Sequence, residues 1–150
     1  MKKILIVISF ILFATSSAIA SDGLIVTKSA HSVKDTADKL VGMLKKKGMT
    51  VFIRIDHAAG AKKVDKVLRP TVVVIFGNPK AGTPVMQCSQ KAAIDFPQKA
   101  LIMEDANGEV TLSYNDPFYI AKRHNIQGCE KVLTKISGIL ANFAKGATSK

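Results

Sequence analysis

The sequence predicts an α+β fold: a two-layer α/β domain with a mixed sheet of about five strands and helices packed on one face. Three observations predict it. Short β-branched runs recur along the chain, two longer stretches repeat their apolar residues at helical spacing, and Asn107-Gly108 sits between two strand-like runs, the strongest short hairpin signal available.

Taken in order, GLIVTKSA reads as a first strand. HSVKDTADKLVGMLKKKG reads as a helix with Ser32 as N-cap, Asp35 three residues on, Gly48 as the stop, and Val33, Ala37, Leu40, Val41 and Leu44 on one face. Met49 to Asp56 alternates, which sets Val51, Ile53 and Ile55 on one side and Thr50, Phe52 and Arg54 on the other. HAAGAKKVDKVLR has room for a short helix or a loop, and TVVVIFG is apolar on both faces, as an interior strand is. A helix is expected within Pro84 to Ala93, followed by the Asn107-Gly108 hairpin with its two antiparallel strands. Asp116-Pro117 offers an N-cap and a proline at the first helical position. The last helix, about Cys129 to Ala144, aligns Val132, Leu133, Ile136, Ile139, Leu140 and Phe143, and KGATSK reads as a tail.

The first twenty residues bear on location rather than fold. Lys2 and Lys3, the apolar run Ile4 to Phe13 and the small-x-small pattern Ala18-Ile19-Ala20 make a secretory signal peptide, with an apolar core shorter than the ~20 residues a bilayer span needs. Cleavage after Ala20 would leave residues 21–150 as one periplasmic or secreted domain with no stable membrane span. Losing Lys2 and Lys3 takes the 22 basic residues to 20 against 11 acidic ones, a net charge of +9 that favours anionic partners. No basic run is interleaved with aromatics that stack on bases, so a nucleic-acid role is not expected.

Gly77 and Gly82 in VVVIFGNPKAGTP keep the spacing of a nucleotide-binding phosphate loop, yet Thr83 stands at the lysine position and Pro84 at the hydroxyl position. Pro79 and Pro84 also remove two amide donors, and a nucleotide site is rejected. His31, His57 and His124 show no short ligand spacing, and adjacent pairs such as Asp56-His57 and Glu104-Asp105 point to opposite faces when extended, so neither a metal nor another cofactor is expected. Asp95, Glu104, Asp105 and Asp116 could supply a carboxylate pair, but nothing local fixes their separation. Cys88 and Cys129 are the only cysteines; an even count in an exported protein points to a disulfide, against the alternative of two thiols too far apart to bond.

Asn78, Lys80 and Thr83, at the end of an apolar strand, are expected to border a shallow site for a small anionic or carbonyl-bearing ligand. His57 would join them if the connection to Arg69 makes a parallel crossover. Tyr114, Asn115, Asp116 and His124 form the alternative cluster, with Asp116 also a candidate helix cap. A non-catalytic binding or interaction domain of the cell envelope is the leading functional expectation, an interaction module either forming a homodimer or docking on an envelope partner through a sheet face or a helix. A small hydrolase using His57 or His124 as base is the alternative.

LRPTVVVIFGNPKAGTPVMQ, AAIDFPQKALIMEDANGEVTLSYNDP and YIAKRHNI, in that order and preceded by DHAAGAKKV, resemble the family called domain of unknown function 302, over about Gly23 to Ile126. The resemblance implies a fold, a compact α/β domain, and does not specify a reaction. Two departures stand out: Thr111 occupies a position where members often carry an aromatic residue, and Cys88 and Cys129 lie outside the family pattern.

Overall fold

The computed structural model describes residues 23–150, so the signal-peptide reading lies outside the described residues. Five strands, β1 (Leu24–Lys28), β2 (Thr50–Asp56), β3 (Thr71–Gly77), β4 (Gln98–Glu104) and β5 (Val110–Asn115), form one sheet in the order β1-β5-β4-β3-β2. The class is α+β, as expected. The pairing differs from the expected mixed sheet, because every neighbouring pair is antiparallel. The connections from β2 to β3 and from β3 to β4 return the chain at the end it left, and no parallel crossover is made.

Helix α1 (Val33–Lys46) begins where the capping signal places it, with Ser32 Oγ accepting from Asp35 N–H at 3.1 Å. It packs beside α5 (Glu130–Thr148) on one face of the sheet. Between these layers lies the core: Val72, Val74 and Phe76 of β3, Ile102 of β4 and Leu112 of β5 meet Leu40, Leu44, Leu133, Leu140 and Phe143. The Phe76 and Phe143 rings meet edge to face with centroids 6.5 Å apart. Helix α5 runs past the expected end at Ala144; Ala147 and Thr148 are buried, and Thr148 C=O accepts from Ala30 N–H, so most of the supposed tail is packed helix.

Three shorter helices complete the chain. The undecided segment after β2 forms α2 (His57–Lys62), capped by Asp56, before an irregular stretch to β3. Helix α3 (Pro79–Cys88) starts five residues before the expected Pro84, and a 3-10 turn, Gln90–Asp95, follows it. Helix α4 (Pro117–Arg123) has Asp116 as N-cap and Pro117 at its first position, as the sequence indicates. In β2 the simple alternation fails. A register shift between Val51 and Ile53 keeps Val51 against the core and turns Ile53 and Ile55 to the opposite face of the sheet.

The candidate ligand-binding grooves

Only Asn78 separates β3 from α3, so no loop exists there to wrap a phosphate. Asn78 Oδ1 accepts from Lys80 N–H at 2.9 Å and its Nδ2 donates to Gly48 C=O at 3.4 Å, fixing the helix start against the end of α1. Neither Gly77 nor Gly82 has positive φ. A Cβ on Gly77 would touch Phe52 at 3.5 Å, and one on Gly82 would touch Phe96 at 3.6 Å, ordinary contacts with the wall of a groove.

Two grooves meet at Asn78, and they divide the expected site residues between them. The first, about 520 Å³, lies between α1, α3 and α5. Met43, Met49, Val132, Ile136, Ile139 and Phe143 line its apolar floor, while Lys47, Lys80 and Lys135 stand at its rim with Asn78 and Asn142. All three ammonium groups are exposed, and none forms an ion pair among the described residues. The second groove, about 410 Å³, is bordered by Asn78 and Thr83 and is otherwise mainly apolar, with Phe52, Pro79, Met86 and Phe96. Lys80 thus serves one groove and Thr83 the other.

His57 belongs to neither. Because β2 and β3 are antiparallel, with Thr50 opposite Gly77 and Asp56 opposite Val72, His57 and Asn78 leave the sheet at opposite ends, separated by the length of the strands, roughly 20 Å. The condition that would have joined them, a parallel crossover, is not met.

The alternative cluster does not converge either. Tyr114 is buried in the core, and this burial, with the charge of Asp116 adding to it, pushes its phenol above the ordinary tyrosine range. Asp116 Oδ1 caps α4 through Phe118 N–H at 2.9 Å. His124 instead meets Asp95, Nε2 to Oδ2 at 2.5 Å, with both side chains about nine-tenths buried, and Arg123 Nη1 donates to the other carboxylate oxygen at 3.1 Å. An imidazole oriented by a carboxylate has the form of a general base, but the nearby Ser89 hydroxyl donates to the His124 backbone carbonyl at 3.2 Å rather than to the ring. Asp95 and His124 are 29 residues apart, and no local spacing announces the pair.

Beside this clasp, Cys88 at the end of α3 is bonded to Cys129, the N-cap residue of α5, with Cα atoms 6.5 Å apart. Among the described residues, no group of three or more His, Cys, Asp or Glu side chains is placed to hold a metal ion.

Comparison with known proteins adds a family and a fold. The family model described as "Domain of unknown function DUF302" matches residues 25–143. The chain is 39% identical over 134 residues to "Fluoride-specific ion channel FluC 1" of Brucella suis biovar 1, a match covering 87% of this chain and 53% of that protein. It is likewise 39% identical over 134 residues to "Fluoride-specific ion channel FluC 2" of Brucella melitensis biotype 1, covering 87% of this chain and 50% of that protein. The chain spans about half the length of the curated relatives it matches. A solved structure, "Crystal structure of uncharacterized conserved protein DUF302 from Bacillus stearothermophilus", is similar with a TM-score of 0.76 at 15% identity, covering 86% of this chain and all of that one, a likeness of fold alone.

Proposed function

The chain belongs to the DUF302 family, and we propose that it serves as a non-catalytic binding domain of the cell envelope, taking a small amphipathic anion into the groove between α1, α3 and α5. The observation that carries this reading is the charge on that groove: Lys47, Lys80 and Lys135, all without acidic partners among the described residues, surround an apolar floor. A volume of about 520 Å³ lies in the range of small-molecule sites, and the mixed lining suits a carboxylate or phosphate carried on a hydrocarbon body. Asn78 and Asn142 add amide groups beside the charged head. The signal-peptide pattern supports an envelope location. The name of the Brucella relatives does not transfer to this groove, which is far larger and more apolar than a fluoride ion requires.

Titration with decanoate and with decanol, read as thermal shift, tests the reading. Decanoate at a hundredfold excess over its Kd should stabilise the protein by about 2.7 kcal/mol, decanol less, and Lys80→Gln with Lys135→Gln should abolish the difference. Thr83→Ala, in the other groove, should leave it intact. Equal shifts with acid and alcohol, or a carboxylate effect that survives the double substitution, overturn the proposal.

A further inference from the structure

Helices α1 and α5 cover one face of the sheet, and the opposite face carries a row of apolar side chains interrupted once, at Ser113. Val26 pairs with Ser113, Ser113 with Leu101, Leu101 with Val73 and Val73 with Ile55, so these five side chains run across all five strands from edge to edge. Flanking positions on the same face include Ile53 and Ile75 on one side of the row and Met103 on the other. Val26 is 59% exposed, Ile53 50% and Met103 38%, so apolar surface is open at both edges of the sheet and on β4 between them.

The charges on this face are as informative as its apolar groups. The sequence carries 22 basic residues, yet the cations whose registers place them here are Lys28 and Lys99. Lys28 sits at a corner and is paired with Glu109. Lys99 turns its ammonium toward the backbone carbonyls of Pro97 at 3.2 Å and Asp95 at 3.4 Å. Depletion of free charge from the centre of an apolar patch marks a protein interface, and in a strongly basic chain it is also what lets two identical surfaces approach without repulsion.

We infer that the open face of the sheet is the contact surface of a homodimer, two copies packing sheet against sheet about a two-fold axis near Leu101. The row is apolar at both ends, so reversing it about its centre sets Val26 on Ile55 and Leu101 on Leu101, with the Ser113 side chain meeting Val73. Five strands at ~4.8 Å spacing and about six residues at ~3.4 Å give roughly 24 by 20 Å, near 500 Å² in projection before side-chain relief is counted. That is the scale on which a stable interface, with ~800 Å² of accessible surface per partner, is built. The inference is independent of the groove, which lies on the other side of the sheet.

Sedimentation velocity of the purified protein between ~1 and ~100 µM tests it. The wild type should sediment at twice the monomer mass, whereas Leu101→Lys and, separately, Val26→Lys should be monomeric with unchanged far-UV circular dichroism. Val26 lies on an edge strand and is already exposed, so its substitution keeps the test open if Leu101→Lys fails to fold. A wild-type monomer throughout the range, or dimers that persist in the folded variants, overturns the inference. So does a monomer that co-sediments with anionic phosphatidylglycerol vesicles and loses that binding on Val26→Lys, which would assign the face to a membrane surface.

Discussion

At Asp95 one buried carboxylate satisfies two cationic or donor groups from the end of α4, His124 and Arg123. Replacing it by asparagine keeps the volume but removes the charge and one acceptor, leaving the His124 ring about nine-tenths buried without its carboxylate. Asp95→Asn should therefore lower stability by about 2 kcal/mol, less than a fully buried pair because half of the Arg123 side chain is exposed, as measured by urea unfolding. A change under ~0.5 kcal/mol, the size of an ordinary surface substitution, would show that the clasp is not structural. Residue-scale reading of the sequence fares unevenly for physical reasons. Ser32 and Asp116 are recognisable because capping is local. Asn78-Pro79 carries the same N-cap and first-turn proline signal as Asp116-Pro117, but Pro84 inside the helix obscures it, since an interior proline ordinarily breaks the ladder. The Asp95–His124 contact and the gathering of Lys47 and Lys135 around Lys80 are tertiary, and no short pattern encodes them.

At the scale of elements, α3 and α5 are tied twice: by apolar contacts along the first groove and by the bond from Cys88 to Cys129. With the two cysteines 41 positions apart in sequence, the cross-link removes chain entropy from the unfolded state worth about 4 kcal/mol. Mass measurement after alkylation should show no free thiol before reduction and two after it, and the reduced protein should melt at lower temperature; two alkylated thiols in the unreduced sample would exclude the bond. The hairpin was the most readable element because its turn chemistry is self-contained. Gly108 takes φ +77°, and Asp105 Oδ1 accepts from Asn107 N–H at 2.8 Å and Glu109 N–H at 2.9 Å. Strand direction was not readable in the same way. The thirteen residues from His57 to Arg69 are long enough to suggest a crossover, but a six-residue helix and an irregular stretch consume them on an antiparallel return.

For the whole molecule, acid is the expected weakness. Hydrogen bonds from Lys34 and Arg54 hold the Asp38 carboxyl below its ordinary 3.8, and backbone donation from Glu109 and Asn107 does the same for Asp105. Both folded values are depressed, so the unfolded chain binds protons first; the associated stability is present above about pH 4 and is lost as pH falls through the folded values. Melting temperature should hold between about pH 7 and pH 5 and fall below about pH 4, more shallowly in Asp38→Asn. A melting curve indifferent to pH down to about pH 3 would show that these carboxylates do not matter to the fold.

The strand order also dictates an order of events. β3, β4 and β5 are consecutive neighbours that zip locally, whereas β1 pairs with β5, Leu24 lying opposite Asn115 across 91 positions of sequence. The first described strand therefore has no partner until almost all the rest of the sheet has been synthesised, and its pairing closes the longest loop in the sheet, with the largest entropic cost of the four pairings. Until β5 is present, the apolar residues Leu24, Ile25 and Val26 have no ladder to join, so the sheet cannot be completed before the last third of the chain is available.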